Sequence, residues 1–270
     1  MNKKKYEILY DQHKEVYGIG TVYRIYALTS FGTIAAGTLG GWVQDYNNLN
    51  QEGDCWIDDD AIVCNNAIVC NNAKVKDNAR VSQNARIFGD ATVCGHAIVD
   101  GSGSVGGISY VSDFAEIHDK ARVCGDSSVL DSSLLRDSSM IVDCIVKNNS
   151  QLVGETFFRD QKISETPIQM QIRNFWCYKN PEGLYSIGVY SFPENDLKKM
   201  LKSKKTFMEW DYFKPDDYEA VLLASDLLSG KVQKAIDFYI KRKSIESSLP
   251  TQTSKEVPQA IVQLYEFFQH

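Results

Sequence analysis

No run of about 18 apolar residues occurs anywhere in the 270 residues, which excludes an ordinary membrane-spanning helix. Basic residues are the minority, 29 against 35 acidic, and a net charge of −6 gives no electrostatic reason to expect nucleic acid. Histidine occurs four times, so general-base and metal chemistry have few places to begin. Cysteine occurs seven times, an odd number, and never as CxxC. That argues against a zinc site or a disulfide framework and for a reducing compartment. The early cluster Lys3-Lys4-Lys5 has no apolar segment behind it, so no signal peptide and a cytoplasmic location are expected. Delivery to another cell by a route without such a peptide is left open.

What the chain has in quantity is repetition. Residues 61–72 read AIVCNNAIVCNN, and the same beat runs on as AKVKDN, ARVSQN, ARIFGD and ATVCGH. Stepping by six from Ile57 gives Val63, Val69, Val75 and so on to Leu135 and Ile141, with no polar intruder. Two places before each stands a small residue: Cys55, Ala61, Ala67, and later Gly103, Ser109, Ser127, Ser133 and Ser139. Lys147 breaks the beat. A period of six fits neither a helix nor a hairpin strand, and a short fixed period marks a solenoid. The branched residue suits a short strand, the small one a crowded corner, and the Asn, Asp and Gly between them a turn at positive φ. Each hexad therefore reads as one strand and one turn.

This pattern resembles the left-handed parallel β-helix of the hexapeptide-repeat proteins, in which three hexads make one triangular coil. The resemblance covers residues 55–155 and implies about five coils. A second resemblance lies ahead of it. Tyr23-Arg24-Ile25, Ala27-Leu28, Ala36-Gly37, Leu39-Gly40-Gly41-Trp42, Asn48-Leu49, Gly53 and Trp56 are similar to the lead-in of the YdcK-like bacterial and phage group. That group implies a fold and no activity.

The expected architecture is mainly β, in three parts. Residues 1–54 hold two strand-like runs, 5–11 and 22–28, and form an N-terminal β cap for the solenoid, whose open end needs covering. Residues 55–155 are the β-helix, and they carry all of the net acidity. Residues 156–270 are an α+β unit. It has a hairpin about KNPEG (179–183) and helices over 193–203, 215–228, 231–240 and 258–268. The lysines of 196–205 read as a solvated helix face. Leu130, Leu134, Met140 and Val142 point outward in the last coils, and the C-terminal unit or a second copy is expected to cover them.

Chemistry is thin. Hexapeptide-type acyltransferases use a histidine base beside an acyl-CoA donor at a subunit interface. Under that reading the base is His118, with Glu116 beside it. His96 sits in a turn, 22 residues away, a spacing that does not stack on His118 and so does not build a metal site. Cys64, Cys70, Cys94 and Cys124 read as outward surface fillers. The unbroken hexads leave few concave places for a small substrate. The favoured expectation is a non-catalytic protein-binding, scaffold or inhibitor protein with no cofactor. Its partner is another protein or further copies in a dimer or trimer, and neither nucleic acid nor membrane is expected. The contact residues would be the outward apolar positions Ile62, Ile98, Ile68, Phe88 and Tyr110.

Overall fold

The structure, a computed structural model, describes residues 4–154, 156–164, 168–172, 175–179, 183–187, 190–203, 207 and 218–229. It divides into two compact units, 1–166 and 167–270.

The first unit is a β-solenoid of about seven turns, built from two- and three-residue strands in three parallel sheets. Face 1 stacks the strands at Ile62, Arg80, Ile98, Glu116 and Leu134. Face 2 stacks those at Ile68, Arg86, Ser104, Arg122 and Met140, and face 3 those at Trp56, Lys74, Thr92, Tyr110 and Ser128. Partners lie 18 residues apart, so one turn is three hexads. The inward column from Ile57 to Ile141 is 0% exposed throughout, and the small corner residues beside it are buried as well. Burying one such side chain contributes about 1.5–3 kcal/mol, and from Val75 to Ile141 each inward residue rests on the one 18 positions before it.

Turn residues link the turns to one another. Asp59, Asn65, Asn71, Asp77, Gln83, Asp113, Asp119, Asp131 and Asp137 all have φ between 51° and 61°. Most of their side-chain oxygens accept from a backbone N–H one turn on: Asp59 from Asp77 (3.2 Å), Asp77 from Gly95 (2.9 Å), Asp113 from Asp131 (3.1 Å), Asp119 from Asp137 (3.2 Å). Asn and Asp thus serve twice, tolerating the left-handed backbone and pairing an amide that the corner leaves free.

The coil count differs from the five expected over 55–155, and the solenoid runs on to Ile163. The hexad beat is lost to a strict six-residue step because two later steps are five residues long. Val129 pairs with Val146 and Ile141 with Phe158, each 17 residues apart, and Val146 pairs with Ile163. Cys144, Ser150 and Thr156 then take the small corner position, all buried. At the other end Val43 pairs with Val63, and Leu49 bridges Val69, so the first turn forms before the hexads begin.

The N-terminal elements meet that first turn. β1 (Tyr6–Val16) and β2 (Gly20–Ala27) form an antiparallel hairpin, and β3 (Leu39–Val43) joins it to face 1. The Lys5 ammonium, in a residue only 5% exposed, donates to the carbonyls of Gly53 and Cys55, both at 3.1 Å. Asn48, fully buried, donates to the carbonyls of Asn65 and Ala67 at 2.9 Å and accepts from the amides of Gln44 and Asp45. These side chains occupy edge carbonyls that a preceding strand would otherwise pair. A Cβ on Gly41 would stand 2.6 Å from the Ile57 side chain and 2.7 Å from the Ala61 carbonyl, so only glycine lets β3 come this close.

In the second unit, four antiparallel strands run over 168–172, 175–179, 185–187 and 190–192. α1 (Glu194–Met200) buries Leu197 and Met200, and α2 (Tyr218–Leu228) buries Val221 and Leu228. The expected helices over 231–240 and 258–268 lie outside the described residues. Among the described residues no helix is long and apolar enough to cross a membrane.

Candidate functional site

His118 lies on face 1, one place past inward Ile117. Its Nδ1 meets Asp100 at 2.7 Å, and its Nε2 meets Glu116 at 2.8 Å. Glu116 is two residues away on the same strand. Asp100 is one full turn below, brought beneath His118 by the 18-residue stacking. Partial burial pushes the imidazole towards its neutral form. The contacts with Glu116 and Asp100 together outweigh that, and the His118 pKa is raised. Those contacts favour the protonated ring, which donates to a carboxylate from each nitrogen. A general base needs a nitrogen lone pair facing its substrate, and here each nitrogen faces a carboxylate. The residue ties two turns together.

The other histidines are placed apart. His96 stacks flat on Phe114, ring centroids 5.0 Å apart and planes 6° from parallel. His13 lies beside Tyr23 in the N-terminal hairpin. His270 lies outside the described residues.

Cys64 and Cys94 are 0% and 3% exposed, so they are buried and do not fill the surface. The strand positions they hold do point outward, but neighbours cover them. The Cys94 thiol donates to the Tyr110 hydroxyl at 3.1 Å. Burial pushes the Cys64 thiol up to about 11. Cys70 and Cys124 are half-buried, and all seven thiols are free.

The outward apolar positions form a graded surface. Ile62 and Ile98 on face 1 and Ile68 on face 2 are half-buried. Phe88 on face 2 is 38% exposed and Tyr110 on face 3 is 41% exposed. The Phe88 ring lies over Gly106, one turn on, where any Cβ would collide with it. Two residues of this surface escape a reading of strand positions. Ile108, 66% exposed, and Phe114, 60% exposed, sit in the two corners that flank face 3. The signal for them is in the turn columns. Asn72, Asp90 and Asp126 stack with Ile108, and Asn78 and Ser132 with Phe114, so each apolar residue interrupts a polar file.

The lead-in residues prove structural in their contacts. Arg24 donates to the carbonyls of Gly40 (2.8 Å) and Asp59, pairs with Asp60 at 3.3 Å, and lies 4.3 Å over the Trp42 ring. Trp42 Nε1 donates to the same Asp60 carboxylate, and Trp56 is 1% exposed under Phe31.

No family model matches the chain, and no curated protein matches it.

Proposed function

We propose that the chain is a left-handed hexapeptide-type β-helix with an N-terminal β cap, and that it works as a non-catalytic protein-binding or scaffold module. The observation that carries this is the pairing of both His118 nitrogens with carboxylates, which takes away the one base an acyltransferase would use. The surface supports it too. Large apolar side chains stand out at Phe88 and Tyr110 on faces 2 and 3 and at the corner residues Ile108 and Phe114, as they do at protein contacts. Ile62, Ile98 and Ile68 extend that apolar character over faces 1 and 2.

A thermal-shift titration with acetyl-CoA and succinyl-CoA is the test. No stabilisation is expected from either. A clear stabilisation that His118→Ala abolishes would overturn the reading in favour of an acyltransferase.

A further inference from the structure

Some carboxylates of the solenoid unit are met by cations: Asp60 by Arg24, and Asp100 and Glu116 by His118. The corners that flank face 3 differ. Asp90, Asp126 and Asp143 stand in one and Asp113 and Asp131 in the other, all exposed. Among the described residues none of these five forms an ion pair. Between the two files, from Thr92 to Ile145, the outward strand side chains of face 3 are all uncharged. Tyr110 and Ile145 are each 41% exposed there. Exposed Ile108 has Asp90 one turn below it and Asp126 one turn above, and exposed Phe114 follows Asp113. The corner of Asp90 and Asp126 also borders face 2, whose other edge carries Asp119 and Asp137, but face 2 presents the exposed Arg86 and Arg122 between its acidic edges. Face 1 presents Arg80 and Arg136. Of the three, only this stretch of face 3 sets an apolar centre between acidic edges with no cation among them.

Resting on the protein-binding reading, we propose that face 3 docks a basic amphipathic helix of a partner protein, laid along the solenoid axis with Lys and Arg over both carboxylate files. An apolar centre with acid on both sides is complementary to an apolar stripe with base on both sides, and such a stripe is what one face of that kind of helix presents. The apolar residues exclude water from the contact, and the flanking pairs form charge-assisted bonds. The spacing along the axis suits a helix. Tyr110 and Ile145 stand two levels apart in one column, through Ser128. At the strand spacing that is roughly 10 Å, and two helical turns rise about 11 Å. Apolar residues two turns apart on the helix therefore meet Tyr110 and Ile145 together. The same helix is turned away from faces 1 and 2 by their arginines, since like charges across a contact oppose association.

Fluorescence anisotropy of a labelled synthetic peptide, titrated with the full chain, tests this. The peptide has about 18 residues of Leu and Lys, with Leu at i, i+3, i+4 and i+7 spacing. It is expected to bind at least about tenfold more tightly than a scrambled peptide of the same composition, and than one with Glu in place of Lys. Asp90→Lys with Asp126→Lys is expected to weaken binding by at least about tenfold, as is Ile108→Ser with Phe114→Ser. Asp11→Lys with Glu52→Lys changes the net charge equally but in the N-terminal part, and is expected to leave the affinity within about twofold. All of these positions are exposed, and unchanged melting checks that each variant folds. A chain that does not bind the peptide overturns the proposal. So does equal binding of the scrambled peptide, indifference to either face 3 double variant, or a loss as large in the N-terminal variant. Each of those results leaves the protein-binding reading standing, because that reading answers to the acyl-CoA titration.

Discussion

His118 and Asn48 show how single polar side chains hold neighbouring turns together. The His118 clamp has a definite pH sense. Its folded pKa lies above the unfolded value of about 6.5. Its contribution is therefore fully present below that unfolded value and fades as pH rises through the folded one. The melting difference between the wild type and His118→Gln is expected to shrink as pH rises above about 6.5. A difference that grows over that range would contradict the clamp. Asn48 has no pH sense, but more depends on it. It satisfies two carbonyls, that of Ala67 in the buried interior, and two amides at once. Asn48→Ala strands all four, and denaturant unfolding is expected to show a loss of about 3 kcal/mol or more.

At the scale of the element, the hexad has one position where hydroxyl and methyl compete. The corner column is alanine through most of its length and serine towards the C-terminal end. Among the described residues the buried hydroxyls of Ser133 and Ser139 have no hydrogen-bond partner, whereas Ser127 Oγ donates to the Cys124 carbonyl at 2.6 Å and accepts from the Cys144 amide. An unpaired buried hydroxyl costs free energy that a methyl does not. Ser133→Ala and Ser139→Ala are each expected to stabilise by about 1 kcal/mol, and Ser127→Ala to destabilise by about as much. Calorimetric melting of the three variants checks the opposite signs. This is also where the sequence is most legible. From Ile57 to Ile141 the inward column could be read letter by letter, because fixed spacing and fixed residue type coincide. The strict six-residue column broke at Lys147 because one missing residue shifts the phase, although the corner pattern continues at Cys144, Ser150 and Thr156. Half of the His118 clamp was visible, since Glu116 is its near neighbour in the chain. Asp100 was not picked out as a partner, because its contact exists only once one turn is set on the next.

At the scale of the molecule, a stack in which each turn touches only its neighbours should accept the loss of a whole turn. Deleting residues 73–90 joins Asn72 to Ala91 and keeps every column in phase. That variant is expected to fold, with unchanged far-UV spectral shape and a lower melting temperature. Deleting residues 73–81, half that length, moves inward residues to the surface and is expected to abolish the cooperative melt. If both deletions behave alike, the turn is not the unit of stability. The corners flanking face 3 belong to this scale too. Ile108 and Phe114 stand out as exposed apolar residues only when the turn residues are compared down a file of stacked corners.

The contacts of Lys5 and Asn48 have a consequence for growth along the axis. A bare solenoid end is a template, because its unpaired carbonyls can recruit the strands of another molecule and propagate a fibre. Here the carbonyls of Gly53 and Cys55 are taken by an ammonium, and those of Asn65 and Ala67 by a carboxamide. An incoming strand would have to displace a buried cation to gain two hydrogen bonds. A strand adding lengthwise there would find none of those four carbonyls free.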